Sequence, residues 1–199
     1  MKALLFLDRK SSRRGGALLR AVEEELGGAA EELRAYFASS SPDRALKAAG
    51  RLETAQRRLE SASKSAGDSI GPSGLLALER LRSAFDSLRW AVKENSYWRL
   101  PHDRSAGRAA SHLDDALGKL RRALAASSAA KREPLLLESR RSVRALARVL
   151  REGQERLWKG DAPFIQGLER GEVLRLLLEA AAALDEAVEG FLLESEGLR

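Results

Sequence analysis

The sequence predicts an all-α fold of six long helices. Leucines and alanines recur at three- and four-residue steps through six segments, the period of a helix with one apolar stripe. Period-two runs of β-branched and aromatic residues are missing, so strands have no support. Clusters of Gly, Pro, Ser and Asp separate the segments.

The first helix is expected from about Gly16 to Ala38. Leu19, Val22, Leu26, Ala29, Leu33 and Tyr36 step 3-4-3-4-3, which keeps one stripe facing a partner. Ser41-Pro42-Asp43 then reads as a cap, a proline at the first helical position and an acid in the first turn. The second helix runs on to about Ala66, with Leu46, Ala49, Leu52, Gln56, Leu59 and Ser63 inward. Residues 67–74, Gly-Asp-Ser-Ile-Gly-Pro-Ser-Gly, break the chain. A third helix from near Ser73 to about Trp98 carries Leu75, Leu78, Leu81, Phe85, Leu88 and Val92. The fourth spans about Arg104 to Ala129 through Ala109, Leu113, Ala116, Leu120 and Leu124. Pro134 is expected to open the fifth, through Leu136, Ser139, Val143, Leu146, Leu150, Gly153 and Leu157. After the break at Gly160-Asp161-Ala162-Pro163, the sixth is expected from about Gly171 to Glu196, through Val173, Leu177, Ala180, Leu184, Ala187 and Phe191. Short connections at 39–42 and 130–134 make the joined helices antiparallel.

The order of helix, proline-started helix, Gly/Pro break and helix occurs twice. Pro42 maps onto Pro134 and Pro72 onto Pro163 at offsets of about 92 and 91 residues. The expected organisation is one domain over residues 1–199, with repeat one at about 11–98 and repeat two at about 104–198, each an up-down-up three-helix unit.

Composition narrows the chemistry. With 199 residues, 44% hydrophobic and 32% charged, the chain can bury a core and is not disordered by default. It has no cysteine, which removes disulfides, thiolate metal sites and cysteine nucleophiles and suits a reducing compartment. Two histidines, His102 and His112, leave little material for a histidine metal site or a Ser-His-Asp triad. No apolar run reaches membrane-spanning length, and Ala3–Leu7 is too short for a signal-peptide core. A soluble, non-enzymatic, cytoplasmic protein with no cofactor is expected.

The layout resembles the PhoU-like family, specifically its Pit-accessory branch associated with phosphate transporters. The resemblance runs from about Phe6 to Leu198. Residues 49–57, Ala-Gly-Arg-Leu-Glu-Thr-Ala-Gln-Arg, sit where the family has Leu-Glu-x-x-x-Asp. Gly71-Pro72 sits at its Thr-Pro turn, and Phe85-Asp86 begins its Asp-x-x-x-Asp segment. In the second half, residues 157–168, Leu-Trp-Lys-Gly-Asp-Ala-Pro-Phe-Ile-Gln-Gly-Leu, resemble the lead-in to the last helix, and Leu178-Glu179 with Asp185 resembles the closing acidic helix. The resemblance implies two three-helix repeats side by side and regulation of phosphate transport at the cytoplasmic face of the inner membrane. The implied partner is a phosphate transporter or another membrane protein, and homo-oligomerisation stays open.

The departures fall on the family's metal-binding acids. Glu53, Asp86, Glu179 and Asp185 are the acidic positions left. The residues one turn on from the first three are Arg57, Trp90 and Ala183, and Arg144–Arg148 holds no acid. Carboxylates four residues apart share a helix face and can hold a metal between them. With Arg or Trp substituted, the family's metal clusters are expected to be absent.

Arginine dominates the base count, 27 Arg to 8 Lys. Arg140, Arg141, Arg144, Arg148 and Arg151 form a helical ladder in a strip, 119–159, with 12 basic and 4 acidic residues. Two readings stand. The ladder binds a polyanion such as polyphosphate, nucleic acid or anionic headgroups, or it is neutralised within the molecule by residues 160–199, which hold 9 acids and 3 bases. Trp90, Tyr97 and Trp98 form either the end cap of the bundle or a partner patch. His112 reads as a boundary residue, and Glu24-Glu25 and Glu31-Glu32 as a solvated face.

Overall fold

The computed structural model describes the backbone of residues 2–39, 41–66, 70–100, 104–160 and 164–197, with side chains from Leu18 onward except 66, 104–106 and 196–197. Six helices account for nearly all of it: α1 (Lys2–Ser39), α2 (Pro42–Ala66), α3 (Pro72–Tyr97), α4 (Arg104–Ala125), α5 (Ala129–Lys159) and α6 (Phe164–Gly197). Among the described residues there is no strand, and no helix is long and apolar enough to cross a membrane.

Each helix packs extensively on two others, and the pairs close a ring in the order α1–α2–α3–α6–α5–α4. Cross-links fix the directions. Glu23–Arg121 and Arg34–Asp114 make α1 and α4 antiparallel. Arg80–Glu186 with Gly71–Glu194 does so for α3 and α6, and Arg108–Glu152 with Lys119–Ser142 for α4 and α5. Exchanging α1, α2 and α3 for α4, α5 and α6 leaves the set of packed pairs unchanged, the pattern a duplicated three-helix unit would give. The alternation places the 39–42, 98–104 and 159–164 connections at one end of the molecule, termed here the junction end.

The core stripes of five helices lie as their spacing predicts. Leu26, Leu33 and Tyr36 of α1, Leu81 and Phe85 of α3, Leu120 of α4, Leu136 of α5 and Leu184 of α6 are all buried in one continuous cluster. The α2 stripe lies partly as predicted. Ala49, Leu52 and Leu59 are buried, with Ala45, Ala48 and Ala55 beside them, but Leu46 stands 73% exposed and Gln56 and Ser63 are half-buried. Alanines let α2 approach its neighbours closely, and the larger Leu46 is turned out.

Several boundaries also move. Helix α1 begins at Lys2, not near Gly16, so Gly15 and Gly16 lie inside it; each glycine lowers helix propensity by only ~1 kcal/mol and does not break the helix. Helix α4 stops at Ala125. Ser128 is extended (φ −141°, ψ 152°), and its carbonyl accepts from Lys131 and Arg132 N–H, so α5 starts at Ala129 with Pro134 inside it. As the sixth helical residue, Pro134 lies past the unpaired N–H groups of the first turn, and it removes one hydrogen bond from the second turn of α5. Helix α6 begins at Phe164, seven residues before Gly171, directly after Pro163 in the sequence.

The helix ends are fastened by identifiable groups. Ser41 Oγ accepts from Arg44 N–H at 3.2 Å, the expected cap of α2. Gly71 precedes Pro72 at the start of α3 and makes no side-chain cap of its own. The carboxylate of Glu194, from the last turns of α6, accepts from Gly71 N–H at 2.8 Å and Gly74 N–H at 3.2 Å instead. The other end of α3 closes with Arg99 in the left-handed region (φ 51°), while Leu100 N–H bonds Asn95 O and Arg99 N–H bonds Ser96 O. This is a Schellman closure, with buried Leu100 as its apolar contact.

Candidate functional site

The arginine ladder occupies the outer face of α5. Arg140 is turned toward α6, where it donates to Asp185 Oδ1 at 3.1 Å and Glu189 Oε2 at 2.8 Å. The bond to Asp185 raises the pKa of an already basic guanidinium. Arg144 reaches the same Asp185 at 3.5 Å. Neutralisation by the acidic sixth helix therefore describes Arg140 and Arg144. Arg141, Arg148 and Arg151 are exposed and pair with no acid among the described residues. The outer stripe continues beyond them: Arg141, Arg144, Arg148, Arg151, Glu155 and Trp158 step 3-4-3-4-3 down one face. The ladder thus runs to the junction end and finishes on a tryptophan that is 72% exposed.

The four acidic positions that the resemblance singled out, Glu53, Asp86, Glu179 and Asp185, face arginines. Glu53 pairs with Arg57 at 2.6 Å and with Arg89 of α3 at 3.8 Å. Arg89 also holds Asp86 at 2.8 Å, so one guanidinium bridges the two acids of the first half. Glu179 is bonded by Arg175, which also pairs with Glu172 at 2.6 Å. Asp185 belongs to Arg140 and Arg144. Among the described residues no three His, Asp or Glu side chains converge as metal ligands would. These positions do not fit a metal cluster, because each carboxylate faces a cation supplied by the chain.

Arg57 is largely exposed and Glu53 is partly exposed. Their pairing is therefore expected to contribute only ~0.3–0.5 kcal/mol. A double-mutant cycle of Glu53→Gln and Arg57→Met in denaturant melts measures it. A coupling above ~2 kcal/mol would show that a desolvated polar site persists there.

Two polar clusters escaped the sequence reading. Glu25, expected on a solvated face with Glu24, is 3% exposed between α1 and α2. Arg58 donates to its Oε1 at 2.5 Å, and Arg51 lies 3.2 Å from its Oε2. Gly28 makes room for the Arg51 guanidinium, which would lie 2.2–2.5 Å from an added Cβ. Glu25 follows Val22 by three residues and precedes Ala29 by four, so it borders the apolar stripe; that adjacency was the available signal. Glu24 and Glu31 are exposed as expected, and Glu32 is half-buried.

The second cluster is Asp115, Lys119 and Ser142. Ser142 donates to Asp115 at 2.5 Å, and Lys119 lies 2.7 Å from Asp115 and 3.2 Å from Ser142. Burial works to raise the Asp115 pKa, but the bonds from Lys119 and Ser142 outweigh it and hold it below the usual carboxylate range. A Ser–Lys pair is a known nucleophile arrangement, but it needs a neutral lysine and an open serine. Here Lys119 is held in an ion pair with Asp115, which also accepts the hydrogen bond of the Ser142 hydroxyl, and Ser142 is buried. The cluster ties α4 to α5.

The aromatic group after α3 divides. Trp98 packs with Leu100, Val173 and Leu177 as an end cap. Tyr97 points out, 80% exposed, and Trp90 is partly exposed with the Arg89 and Lys93 cations over its ring at 5.3 and 5.1 Å. Ala45, Leu46, Ala49, Lys93 and Tyr97 line an open cleft of about 440 Å³ at the junction end. His112 is half-buried on α4, as a boundary residue should be; His102 lies outside the described residues. At the same end, Phe164, Ile165 and Leu168 at the start of α6 and Trp158 at the end of α5 are all exposed. Comparisons with protein-family models, curated proteins and solved structures give no match to this chain.

Proposed function

We propose that the protein is a non-enzymatic helical adaptor that works by surface contact at a membrane face, on the cytoplasmic side. The resemblance to the Pit-accessory branch of the PhoU-like family makes a phosphate transporter its partner. The observation that carries the adaptor reading is the distribution of surface chemistry. Among the described residues, six of the ten large exposed apolar side chains, Leu46, Tyr97, Trp158, Phe164, Ile165 and Leu168, stand at the junction end. The polar clusters around Glu25 and around Asp115 instead tie neighbouring helices together. Aromatic side chains exposed together favour contact sites over solvent. Phosphate uptake in a deletion strain without redundant paralogues tests the reading. Altered uptake, restored by the wild-type chain, is expected; uptake unchanged by deletion would overturn the transporter assignment.

A second reading, a polyanion-binding module, is favoured by Arg141, Arg148 and Arg151 having no acid partner among the described residues. Retention on heparin or polyphosphate beads should then fall steeply between ~50 and ~200 mM salt. No retention at the lower salt would remove this reading.

A further inference from the structure

We propose that the protein docks directly on an anionic lipid bilayer, with Trp158 and the first turn of α6 entering the headgroup boundary and Arg148 and Arg151 of α5 engaging lipid phosphates. The proposal deepens the adaptor reading, since it names the surface that brings the protein to the membrane.

Geometry is the first support. Gly171 of α6 lies against Leu157 of α5. In an antiparallel pair this sets position 169 opposite Lys159, where α5 ends. Residues 164–168 therefore run past α5 by about five residues, ~7 Å of helix. That projecting turn holds Phe164 (80% exposed), Ile165 (68%) and Leu168. Phe164 and Leu168 are one turn apart, and Ile165 is three before Leu168, so all three crowd one side of the turn. An apolar helical face sinks ~5–10 Å into a headgroup boundary, which matches the projection.

Charge is the second support. Arg151 is seven residues before Trp158 on the same stripe, ~10 Å along the helix, which is about one Debye length at ~0.1 M salt. Arg148 stands one turn behind, and Lys159 is exposed beside the tip. Glu155 is the single acid on that stripe. Exposed Trp flanked by Arg and Lys is the arrangement found at membrane–water boundaries, where the ring sits at headgroup level and long cations reach phosphate. The apolar side chains form a projecting tip, which a fluid surface admits without a matching pocket. A second copy would have to receive the tip in the open cleft lined by Ala45, Leu46, Ala49 and Tyr97, an outcome that the test separates.

Co-sedimentation with protein-free vesicles tests this, using pure phosphatidylcholine against phosphatidylcholine with 30% phosphatidylglycerol (~30%, enough to give a negative surface potential). The full chain is expected to bind the anionic vesicles and to bind neutral ones at least tenfold more weakly. Arg148→Gln/Arg151→Gln should weaken binding about fivefold to 25-fold, from about fivefold for each arginine that reaches the surface. Phe164→Ser/Ile165→Ser should weaken it at least tenfold. Trp158→Ser, at a separate exposed position, repeats the apolar test should that pair misfold. Absence of binding to anionic vesicles overturns the proposal. So does binding that neither apolar variant weakens, which would leave phosphate attraction alone. A concentration-dependent dimer abolished by Phe164→Ser/Ile165→Ser would also overturn it, assigning the tip to a second copy. The vesicles contain no transporter, so this result and phosphate uptake in the deletion strain fail independently.

Discussion

Replacing both Arg51 and Arg58 by Met is expected to destabilise the protein by ~3–5 kcal/mol, the cost of leaving a buried charge without its partner. The stranded group is Glu25, 3% exposed between α1 and α2. Its two arginines differ in what they risk. Arg58 is 63% exposed and can return its guanidinium to water, whereas Arg51 is 27% exposed and lies in the space left by Gly28. Arg51→Met alone should therefore cost more than Arg58→Met alone. The decisive variant is the triple one. Adding Glu25→Leu removes the stranded charge and keeps the volume, so most of the lost stability should return, because a buried ion pair exchanged for apolar residues is often near neutral. Urea melts of the four chains measure this. If the double variant loses less than ~1 kcal/mol, Glu25 is hydrated in solution and the network is a surface feature.

The same network shows why part of the molecule was legible and part was not. Helix identity rests on periodicity along the chain, and every residue needed to see it is within eight positions of the next. The stripes of α1, α3, α4, α5 and α6 therefore lay open in the sequence. In α2, Ala49, Leu52 and Leu59 were legible but Leu46 was not, because alanine and leucine at neighbouring positions carry the same helical signal, and only the closeness of α1 and α3 decides that Ala45 faces in and Leu46 out. Helix starts failed for a related reason. Pro134 and Gly171 look like boundaries locally, yet α5 starts just after Ser128 and α6 already at Phe164. The arginine ladder was legible as a ladder. Its division into Arg140 and Arg144, held by α6, and Arg141, Arg148 and Arg151, which face outward, depends on which helix lies alongside. Glu194 capping α3 from 120 residues away is a contact no local pattern announces.

Gly190 and Gly118 should respond in opposite directions to the same added methyl group. Both are inside helices, where alanine is the better helix former by ~0.5–1 kcal/mol. At Gly118 a Cβ would meet nothing within 4 Å, so Gly118→Ala is expected to stabilise the protein by that amount. At Gly190 the Cβ would stand 2.8 Å from the Ser73 carbonyl oxygen, 2.9 Å from Ala77 Cβ and 3.2 Å from Ala77 Cα. Two of those three atoms are backbone, so no rotamer change relieves the contact. Helix α6 must instead move off the first turns of α3. That displacement would also pull Glu194, one turn further along α6, from Gly71 and Gly74 N–H. Gly190→Ala is expected to cost ~1–3 kcal/mol, as overpacking of a tight interface does, and Gly190→Leu more. Ala77→Gly placed with Gly190→Ala removes one of the three clashes, so the double variant should lose less than the two single losses added, a coupling of at least ~0.5 kcal/mol. Denaturant melts decide it. Should Gly190→Ala prove as stabilising as Gly118→Ala, α3 and α6 are not in close contact at Ser73–Ala77, and the ring of six helices is open along that seam.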